Sequence, residues 1–304
     1  SKSYKGLKKL GLLTYPFLLS QKLKQYQPDI VIAASDIPHI VWGAWCAKQL
    51  KVPFIADLYD NFEGFGQARI PGMKHLLRQA VCQAQLVTTT SQPLAELVIH
   101  DYAAQAKVVS LPSTVDLSTF RSGNKSNARE RFGLLPNKQY IGTAGGLYKD
   151  KCVEVIYQAW EKLKHEMPNV HLVLAGPYQP DYPPPEEERV HYLGSLAHHE
   201  ISTLFQALDL GIISILDTPF GRYCFPQKAY EMLACDLPVV VANIGEMSYL
   251  FRDSPQVLFQ TGNANDLASK IQQQLQSPQQ QSIAVEDWAT IIQRLEPMIT
   301  ALKF

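Results

Sequence analysis

The sequence predicts an α/β protein with two domains, each built around a sheet of parallel strands. Short apolar runs alternate with helical patterns along almost the whole 304-residue chain. These runs contain few polar residues, which is typical of parallel strands that are buried on both faces. A polar stretch at residues 116–139 separates two such series, and the chain is long for a single hydrophobic core. The two domains are therefore expected to face each other across a cleft.

The first series covers residues 1–120 and predicts the N-terminal domain. Its strands are expected at DIVIAAS, VPFIADLY, LVTTTS and KVVSLP. Its helices are expected at IVWGAWCAKQL, MKHLLRQAVCQA and PLAELVIHDYA.

A basic segment precedes the first of these strands. Residues 1–28 contain six lysines and no acidic residue, mixed with the apolar letters LGLLTYPFLL. No run reaches the roughly 18 apolar residues that a membrane span needs, and Pro16 interrupts the longest one. Two interpretations remain open for residues 1–26: an amphipathic surface helix, or a peripheral contact with anionic lipid.

The second series follows a connection that is expected at residues 121–139, and it predicts a C-terminal domain at residues 140–285. Its strands are expected at YIGTAGG, VHLVLAGP, VHYLG, LGIISIL and LPVVVANIG. Its helices are expected at VEVIYQAWEKLKHE, HEISTLFQALD and a short helix within FPQKAYEMLAC. Residues 286–304 predict one more amphipathic helix, and periodicity does not decide which domain it covers.

Composition excludes several classes of protein. The 28 basic and 28 acidic residues cancel, so no overall field attracts nucleic acid. The five cysteines are scattered without a C-x-x-C motif, which argues against a zinc site or a disulfide framework. This cysteine usage is typical of a reducing compartment, and a cytoplasmic location is expected.

The stretch FPQKAYEM contains the most informative charges in the chain. Pro226 suits the first turn of a helix, where its missing N–H would have no partner. Lys228 and Glu231 are i,i+3 neighbours, and as an exposed ion pair they would contribute only about 0.3 kcal/mol. Because this helix follows a strand, however, its N-terminus and Lys228 could bind an anion, with Glu231 accepting hydrogen bonds from a sugar diol. Both interpretations are open on the residues alone.

The residues VHYLGSLAHHEISTLFQALDLGIISIL and FPQKAYEMLACDLPVVVANIG resemble the C-terminal half of GT-B glycosyltransferases, especially family 4 (group 1). The stretch PDIVIAASDIPHIVWGAWCAKQLKVPFIADLYDN is similar to the later part of that family's N-terminal domain. The resemblance implies two Rossmann-like domains facing a cleft and a nucleoside-diphosphate sugar bound mainly by the C-terminal domain. It also implies that Glu231 holds the ribose hydroxyls, and that Lys228 lies near the phosphates at the helix start marked by Pro226.

The loop TAGGLYKDKCVE resembles a second element of the family, in which an arginine and a lysine clamp the diphosphate. Gly145, Gly146 and Lys151 fit this loop, although Gly146 replaces the arginine and a simple glycine turn is the alternative. Tyr223 likewise replaces the first glutamate that many members carry eight residues before Glu231. Arg222 is either a compensating cation at this donor site or an ordinary loop arginine.

Candidate acceptor-side residues follow the strands of the N-terminal domain. The family often has a histidine near the transferred sugar; the nearest matches are Ser35 or Asp36, with His39 a few residues later. The loop after the next strand offers three carboxylates, Asp57, Asp60 and Glu63. Each of these residues could orient an acceptor hydroxyl, or could simply cap a helix or solvate a loop.

The resemblance also has a gap at its front. GT-B enzymes start with a strand, a glycine-containing loop and two further strand–helix units, whereas here one basic helix precedes DIVIAAS. The N-terminal domain is therefore expected to be incomplete, in a fragment or in a naturally shortened protein. Its exposed sheet edge would be covered by a second copy, another chain or the first helix.

Together these features predict a hexosyltransferase-type glycosyltransferase that moves a sugar from a nucleoside-diphosphate sugar to a glycan or lipid-linked acceptor. Retention of configuration follows from the resemblance. The resemblance, together with the lack of a His, Cys or Asp cluster at the spacing of metal ligands, predicts no metal and no cofactor. The missing arginine and carboxylate support an alternative, a non-catalytic nucleotide-sugar-binding or scaffold protein. A GT-B epimerase that acts on a nucleotide sugar is a third option.

Overall fold

A computed structural model describes residues 10–279, 281 and 283–303. The chain divides into two compact units. Unit 1 contains the described residues up to Pro112 and those from Ile292 onward, and unit 2 is Ser113–Ile291. Each unit is an α/β domain with one parallel sheet, as the sequence predicts.

Unit 1 has four parallel strands in the order β1-β2-β3-β4, and each strand is hydrogen-bonded to its neighbours in this order. Its helices and strands are α1 (Leu10–Tyr26), β1 (Val31–Ala33), α2 (Ile37–Leu50), β2 (Phe54–Leu58), α3 (Met73–Cys82), β3 (Leu86–Thr89), α4 (Gln92–His100) and β4 (Lys107–Ser110).

Local chemistry explains where α2 begins and ends. The Asp36 side chain accepts a hydrogen bond from the His39 N–H at the N-terminus, and Lys51 ends the helix in the left-handed region with φ 57°. Inside the helix, a Cβ on Gly43 would lie 2.4 Å from the Cβ of Ala33. Glycine is therefore needed where α2 crosses β1 at close range.

The basic front segment is helical from Leu10 onward, within α1. The first nine residues of the predicted lipid contact lie outside the described residues. In the part of the chain that the structure describes, no helix is long and apolar enough to cross a membrane.

Unit 2 has six parallel strands in the order β10-β9-β8-β5-β6-β7. Its helices and strands, together with the last helix of the chain, are α5 (Lys125–Arg131), β5 (Gln139–Ala144), α6 (Val153–Glu166), β6 (Val170–Ala175), β7 (Val190–Tyr192), α7 (His198–Ala207), β8 (Leu210–Ile213), α8 (Pro219–Tyr223), α9 (Gln227–Ala234), β9 (Val239–Ala242), α10 (Gly245–Leu250), β10 (Leu258–Phe259), α11 (Ala264–Gln276) and α12 (Trp288–Thr300).

The strand order of unit 2 reverses at β5. The chain runs outward from β5 through β6 to β7, and then returns to the other side of β5 with β8, β9 and β10. A ligand crevice is expected at such a switch point, outside the carboxyl ends of β5 and β8.

The polar stretch predicted as a connection at residues 121–139 is part of unit 2 instead. Asn124 caps α5, and this helix places the buried Arg129 guanidinium against Asp209, with 2.6 Å between nitrogen and oxygen. Arg129 also donates hydrogen bonds to the carbonyls of Ala207 and Pro136. This polar network ties α5 to α7 and β8. The boundary between the units therefore lies before α5, near Pro112.

The last helix settles a point that periodicity leaves open. Leu295 of α12 is buried with Ile55 of β2 and Leu86 of β3, so the end of the chain covers unit 1. None of the five cysteines, all of which lie in the described residues, forms a disulfide.

Candidate functional site

Unit 2 contains a cavity of about 330 Å³ at the switch point of its sheet. The loop after β5, the end of β8 and the start of α9 form its walls. Its polar lining includes Lys151, His198, Ser214, Gln227, Lys228 and Glu231.

The glycine loop after β5 lines the cavity with backbone at Gly145 and Gly146. Gly145 has φ +115°, and a Cβ there would lie 3.2 Å from the Lys228 Nζ. Glycine is therefore required both for the backbone conformation and for the room that the lysine occupies. At Gly146 a Cβ would lie 2.4 Å from the Tyr148 ring, so the side on which a family arginine would start is closed by this tyrosine.

Lys228 extends from the first turn of α9 into the cavity. Its Nζ donates a hydrogen bond of 3.3 Å to the Thr143 hydroxyl at the end of β5. Desolvation, followed by the positive charge of Lys151, lowers the pKa of Lys228 to about 8, although the Glu231 carboxylate opposes the change. Two cations thus share one cavity, which is an arrangement suited to an anion of more than one charge.

Glu231 lies one turn further along α9, and Pro226 occupies the N-cap of that helix. Desolvation raises the pKa of Glu231, and the nearby Lys228 and His198 partly offset this. Within the described residues no ion pair joins Lys228 to Glu231. The two charged groups therefore do not form the exposed pair that spacing alone allows.

Lys151 reaches the cavity from the 3-10 turn before α6. Its Nζ lies 4.3 Å from the centroid of the Phe220 ring, a distance at which a cation and an aromatic face attract each other. The Ser214 hydroxyl donates to the Lys151 carbonyl at 2.7 Å, which fixes the turn against the end of β8.

Two predicted donor-site residues do not line the cavity. Arg222 and Tyr223 lie in α8, and the Arg222 guanidinium forms an ion pair with Asp217 at the surface. This pairing holds the pKa of Arg222 above its usual range. The lysines that line the cavity are Lys151 and Lys228.

Sequence reasoning missed His198 and Phe220 as lining residues. His198 is the first residue of α7, after the strand VHYLG, and its ring packs against the buried Phe120 with 5.0 Å between centroids. Its place after a strand was a usable signal, because ligands meet parallel sheets there. Phe220 gives no comparable signal, since one aromatic residue in the short helix α8 forms no periodic pattern.

In unit 1, the candidates Asp36 and His39 are hydrogen-bonded to each other. Asp36 Oδ1 accepts from the His39 backbone N–H at 3.0 Å and lies 2.6 Å from the His39 Nδ1. The His39 ring packs edge-on against Tyr15 and Trp42. The contacts with Tyr15 and Trp42 orient the imidazole, while the His39 backbone N–H takes part in the N-cap of α2.

Asp57 and Asp60 lie with Asp36 around one tyrosine. Desolvation, followed by the negative charges of Asp60, Asp36 and Asp57, raises the pKa of Tyr59. The Tyr59 hydroxyl donates to the Ser35 carbonyl at 2.9 Å. Asp57 accepts a 2.7 Å hydrogen bond from the Thr88 hydroxyl, and desolvation raises its pKa.

Glu63 lies apart from this group. Desolvation would raise the pKa of Glu63, but the hydrogen bond and charge of Arg78 lower it. Arg78 is at 2.8 Å and Lys74 at 3.7 Å from its oxygens. Its carboxylate is therefore held by two cations of α3. Among the described residues no group of three or more His, Cys, Asp or Glu side chains could hold a metal ion.

Two family models match the chain. Residues 3–119 match the model described as Glycosyltransferase Family 4, and residues 138–277 match that of Glycosyl transferases group 1.

Curated relatives include a D-inositol 3-phosphate glycosyltransferase of Mycobacterium marinum, 27% identical over 62% of this chain and 41% of its own length. A protein of the same description from Stackebrandtia nassauensis is 27% identical over 75% of this chain and 52% of its own length. The chain thus spans about half of these relatives or less.

Solved structures with similar folds include HepE of Anabaena in complex with UDP, with a TM-score of 0.77 and 20% identity over 94% of this chain and 82% of that one. Sucrose-phosphate synthase of Thermosynechococcus elongatus gives a TM-score of 0.72 and 18% identity, over 98% and 80% of the two chains. At 18% and 20% identity, these similarities show that the fold is shared.

Proposed function

Since the chain belongs to the GT-B glycosyltransferases of family 4 and group 1, we propose that it transfers a hexose from a nucleoside-diphosphate sugar to an acceptor hydroxyl. The acceptor would be a glycan or a lipid-linked sugar, and the configuration of the sugar would be retained. The observation that carries the proposal is the cavity at the carboxyl ends of β5 and β8, where Lys151, Lys228 and Glu231 converge.

The diphosphate of the donor would bind between the two lysines. Lys228 is held at 3.3 Å from Thr143, and Lys151 rests on the Phe220 ring, so both cations are positioned before a ligand arrives. The dipole of α9 adds a partial positive charge at the start of that helix. Such preorganised charges stabilise the negative charge that grows on the diphosphate as the sugar leaves.

The ribose of the donor would bind to Glu231. A carboxylate can accept hydrogen bonds from two neighbouring hydroxyls, and the diol would replace the water that the half-buried group lacks. The positive charges of Lys228 and His198 favour the ionised form that this contact needs.

In the transfer step, the bond between the anomeric carbon and the diphosphate oxygen breaks, and the acceptor oxygen bonds to that carbon. The acceptor proton ends on the departing diphosphate. We assign the acceptor side to unit 1, where His39 is oriented by Asp36 and where Asp36, Asp57 and Asp60 surround Tyr59. Glu63 is not included, because Arg78 and Lys74 hold it.

A non-catalytic nucleotide-sugar-binding protein is the second candidate. It is favoured by Gly146, where Tyr148 closes the place of the family arginine, and by Tyr223, which stands where many members have a glutamate. Both features argue against catalysis of sugar transfer more strongly than against binding of the nucleotide sugar.

Calorimetric titration with UDP, ADP and GDP, combined with an assay for hydrolysis of the matching sugar nucleotides, tests the proposal. Binding of one diphosphate with measurable turnover is expected. Glu231→Ala should weaken nucleotide binding by about tenfold or more, because two hydrogen bonds to a charged group are lost. Glu154→Ala, on the exposed face of α6, should bind like the wild type.

Two outcomes would change the assignment. Tight binding without turnover would favour the binding-protein alternative. Unchanged affinity in Glu231→Ala would remove α9 from the donor site.

A further inference from the structure

The first two helices of unit 1 present apolar side chains to solvent. Phe17 is 66%, Leu18 43% and Trp45 38% exposed. The rings of Phe17 and Trp45 approach each other edge-on, with 6.4 Å between centroids. These three residues therefore form one apolar patch shared by α1 and α2.

The patch is not the packing face of α1. That face contains Tyr15, whose ring lies 5.7 Å from the His39 ring and 5.2 Å from the Trp42 ring of α2. Phe17 and Leu18 stay largely exposed although Tyr15 packs against α2.

The charged side chains within α1 and α2 all carry positive charge or none. Neither α1 nor α2 contains an aspartate or glutamate. Lys22 follows Leu18 by one helical turn, Lys48 follows Trp45 in the same way, and both lysines are exposed. Exposed Lys24 and Lys51 lie at the ends of these helices, and no ion pair in the described part of the chain involves any of the four lysines.

We infer that this α1–α2 face, formed by Phe17, Leu18, Trp45 and the four neighbouring lysines, docks on the surface of an anionic lipid bilayer. Aromatic side chains favour the boundary between headgroups and acyl chains, and lysines nearby attract anionic headgroups. In sequence, residues 1–9 contain four further lysines and no acid. A second copy of the chain fits less well, because like charges would face each other across the interface.

This inference stands apart from the donor site, since no residue of the α1–α2 face lies in the cavity of unit 2. It concerns attachment to the surface of a membrane, not passage through it.

Co-sedimentation with vesicles tests the inference. We expect the protein to bind vesicles of equimolar phosphatidylcholine and phosphatidylglycerol, and to bind phosphatidylcholine vesicles about tenfold less. The double variant Phe17→Ser, Trp45→Ser should lose about tenfold in partition onto the anionic vesicles. The variant Lys22→Glu, Lys48→Glu should lose a similar factor, and about 0.5 M salt should mimic it in the wild type.

A matched control is Trp288→Ser, which removes an exposed tryptophan of α12 and should bind anionic vesicles like the wild type. Thermal unfolding of every variant checks that the fold is kept; the substituted side chains are at the surface, so little change is expected. The inference is overturned if folded wild type does not bind anionic vesicles, or if the Phe17, Trp45 double variant binds them equally well. It is also overturned if sedimentation velocity shows a dimer that the double variant abolishes while vesicle binding persists.

Discussion

At the scale of single residues, the cavity of unit 2 brings together three charged side chains, Lys151, Lys228 and Glu231. Lys228 has a pKa near 8, caused first by desolvation and then by the charge of Lys151. The Lys151 Nζ lies over the face of the Phe220 ring. An anionic ligand would relieve the repulsion between the two lysines, so ligand binding and the protonation of Lys228 should be linked.

We therefore expect nucleotide-diphosphate affinity to fall as Lys228 loses its proton. Because the pKa is about 8 in place of 10.5, the charged fraction drops between neutral and alkaline pH. From about pH 7 to about pH 9 the affinity should fall about tenfold. Calorimetry across this range measures it, and Lys228→Met should bind weakly with little pH dependence. An equally steep fall in Lys228→Met would assign the titration to another group.

Gly145 should tolerate no side chain. Gly145→Ala places a Cβ at φ +115° and 3.2 Å from the Lys228 Nζ, so we expect a loss of about 2 kcal/mol in the free energy of unfolding. Gly64→Ala is the control, because a Cβ there has nothing within 4 Å. Urea unfolding compares the two, and equal stabilities would show that the loop adapts freely.

At the scale of elements, most of the regular structure follows from apolar periodicity, whereas α5 does not. The residues of this helix are polar, and the sequence predicts a connection there. Its stability comes from Asn124 at the cap and from Arg129, which contacts the nearby Pro136 carbonyl and, far along the chain, Asp209 and the Ala207 carbonyl. A partner about 80 residues away leaves no local pattern, and for this reason the unit boundary was predicted too late in the chain.

Removing the Arg129 charge should therefore destabilise unit 2. Arg129→Met leaves the Asp209 carboxylate and two carbonyls without this donor, at a cost of about 3 kcal/mol. Arg131→Met, which breaks the exposed pair with Glu200, should cost less than about 1 kcal/mol. Urea unfolding measures both. Similar losses in the two variants would mean that Arg129 acts as an ordinary surface residue.

The site was predictable to the extent that its residues follow strands in sequence. Lys228 and Glu231 stand out because charges are unusual in a helix between two buried strands. For Arg222 the sequence leaves open a compensating cation or an ordinary loop arginine, and in the structure it pairs with Asp217 and does not line the cavity. The closure of the Gly146 side by Tyr148 depends on one rotamer, which sequence does not encode in any readable pattern.

At the scale of the whole molecule, the chain ends on the unit in which it begins. Leu295 of α12 packs against β2 and β3, although the 179 residues of unit 2 intervene. Unit 1 therefore depends on the last helix for part of its core. Periodicity predicts that helix but contains no information on which sheet it covers.

Shortening the Leu295 side chain should destabilise unit 1 and leave unit 2 unchanged. Leu295→Ala should cost about 2 to 3 kcal/mol, because a buried leucine is replaced by a partial cavity. Hydrogen exchange should speed up in β2 and β3, while β8 and β9 stay protected. Ile292→Ala, about half exposed on the same helix, is the control. Faster exchange in β8 and β9 would contradict the assignment of α12 to unit 1.

The central claim is that the cavity of unit 2 binds the nucleoside diphosphate of a sugar donor. A crystal structure of the protein with UDP tests it most directly. The account predicts ribose hydroxyls within hydrogen-bond distance of the Glu231 carboxylate, and diphosphate oxygens about 3 Å from the Lys228 Nζ, with Lys151 on the same phosphates. UDP bound elsewhere, or bound in the cavity without contact to Glu231 and Lys228, would contradict the account.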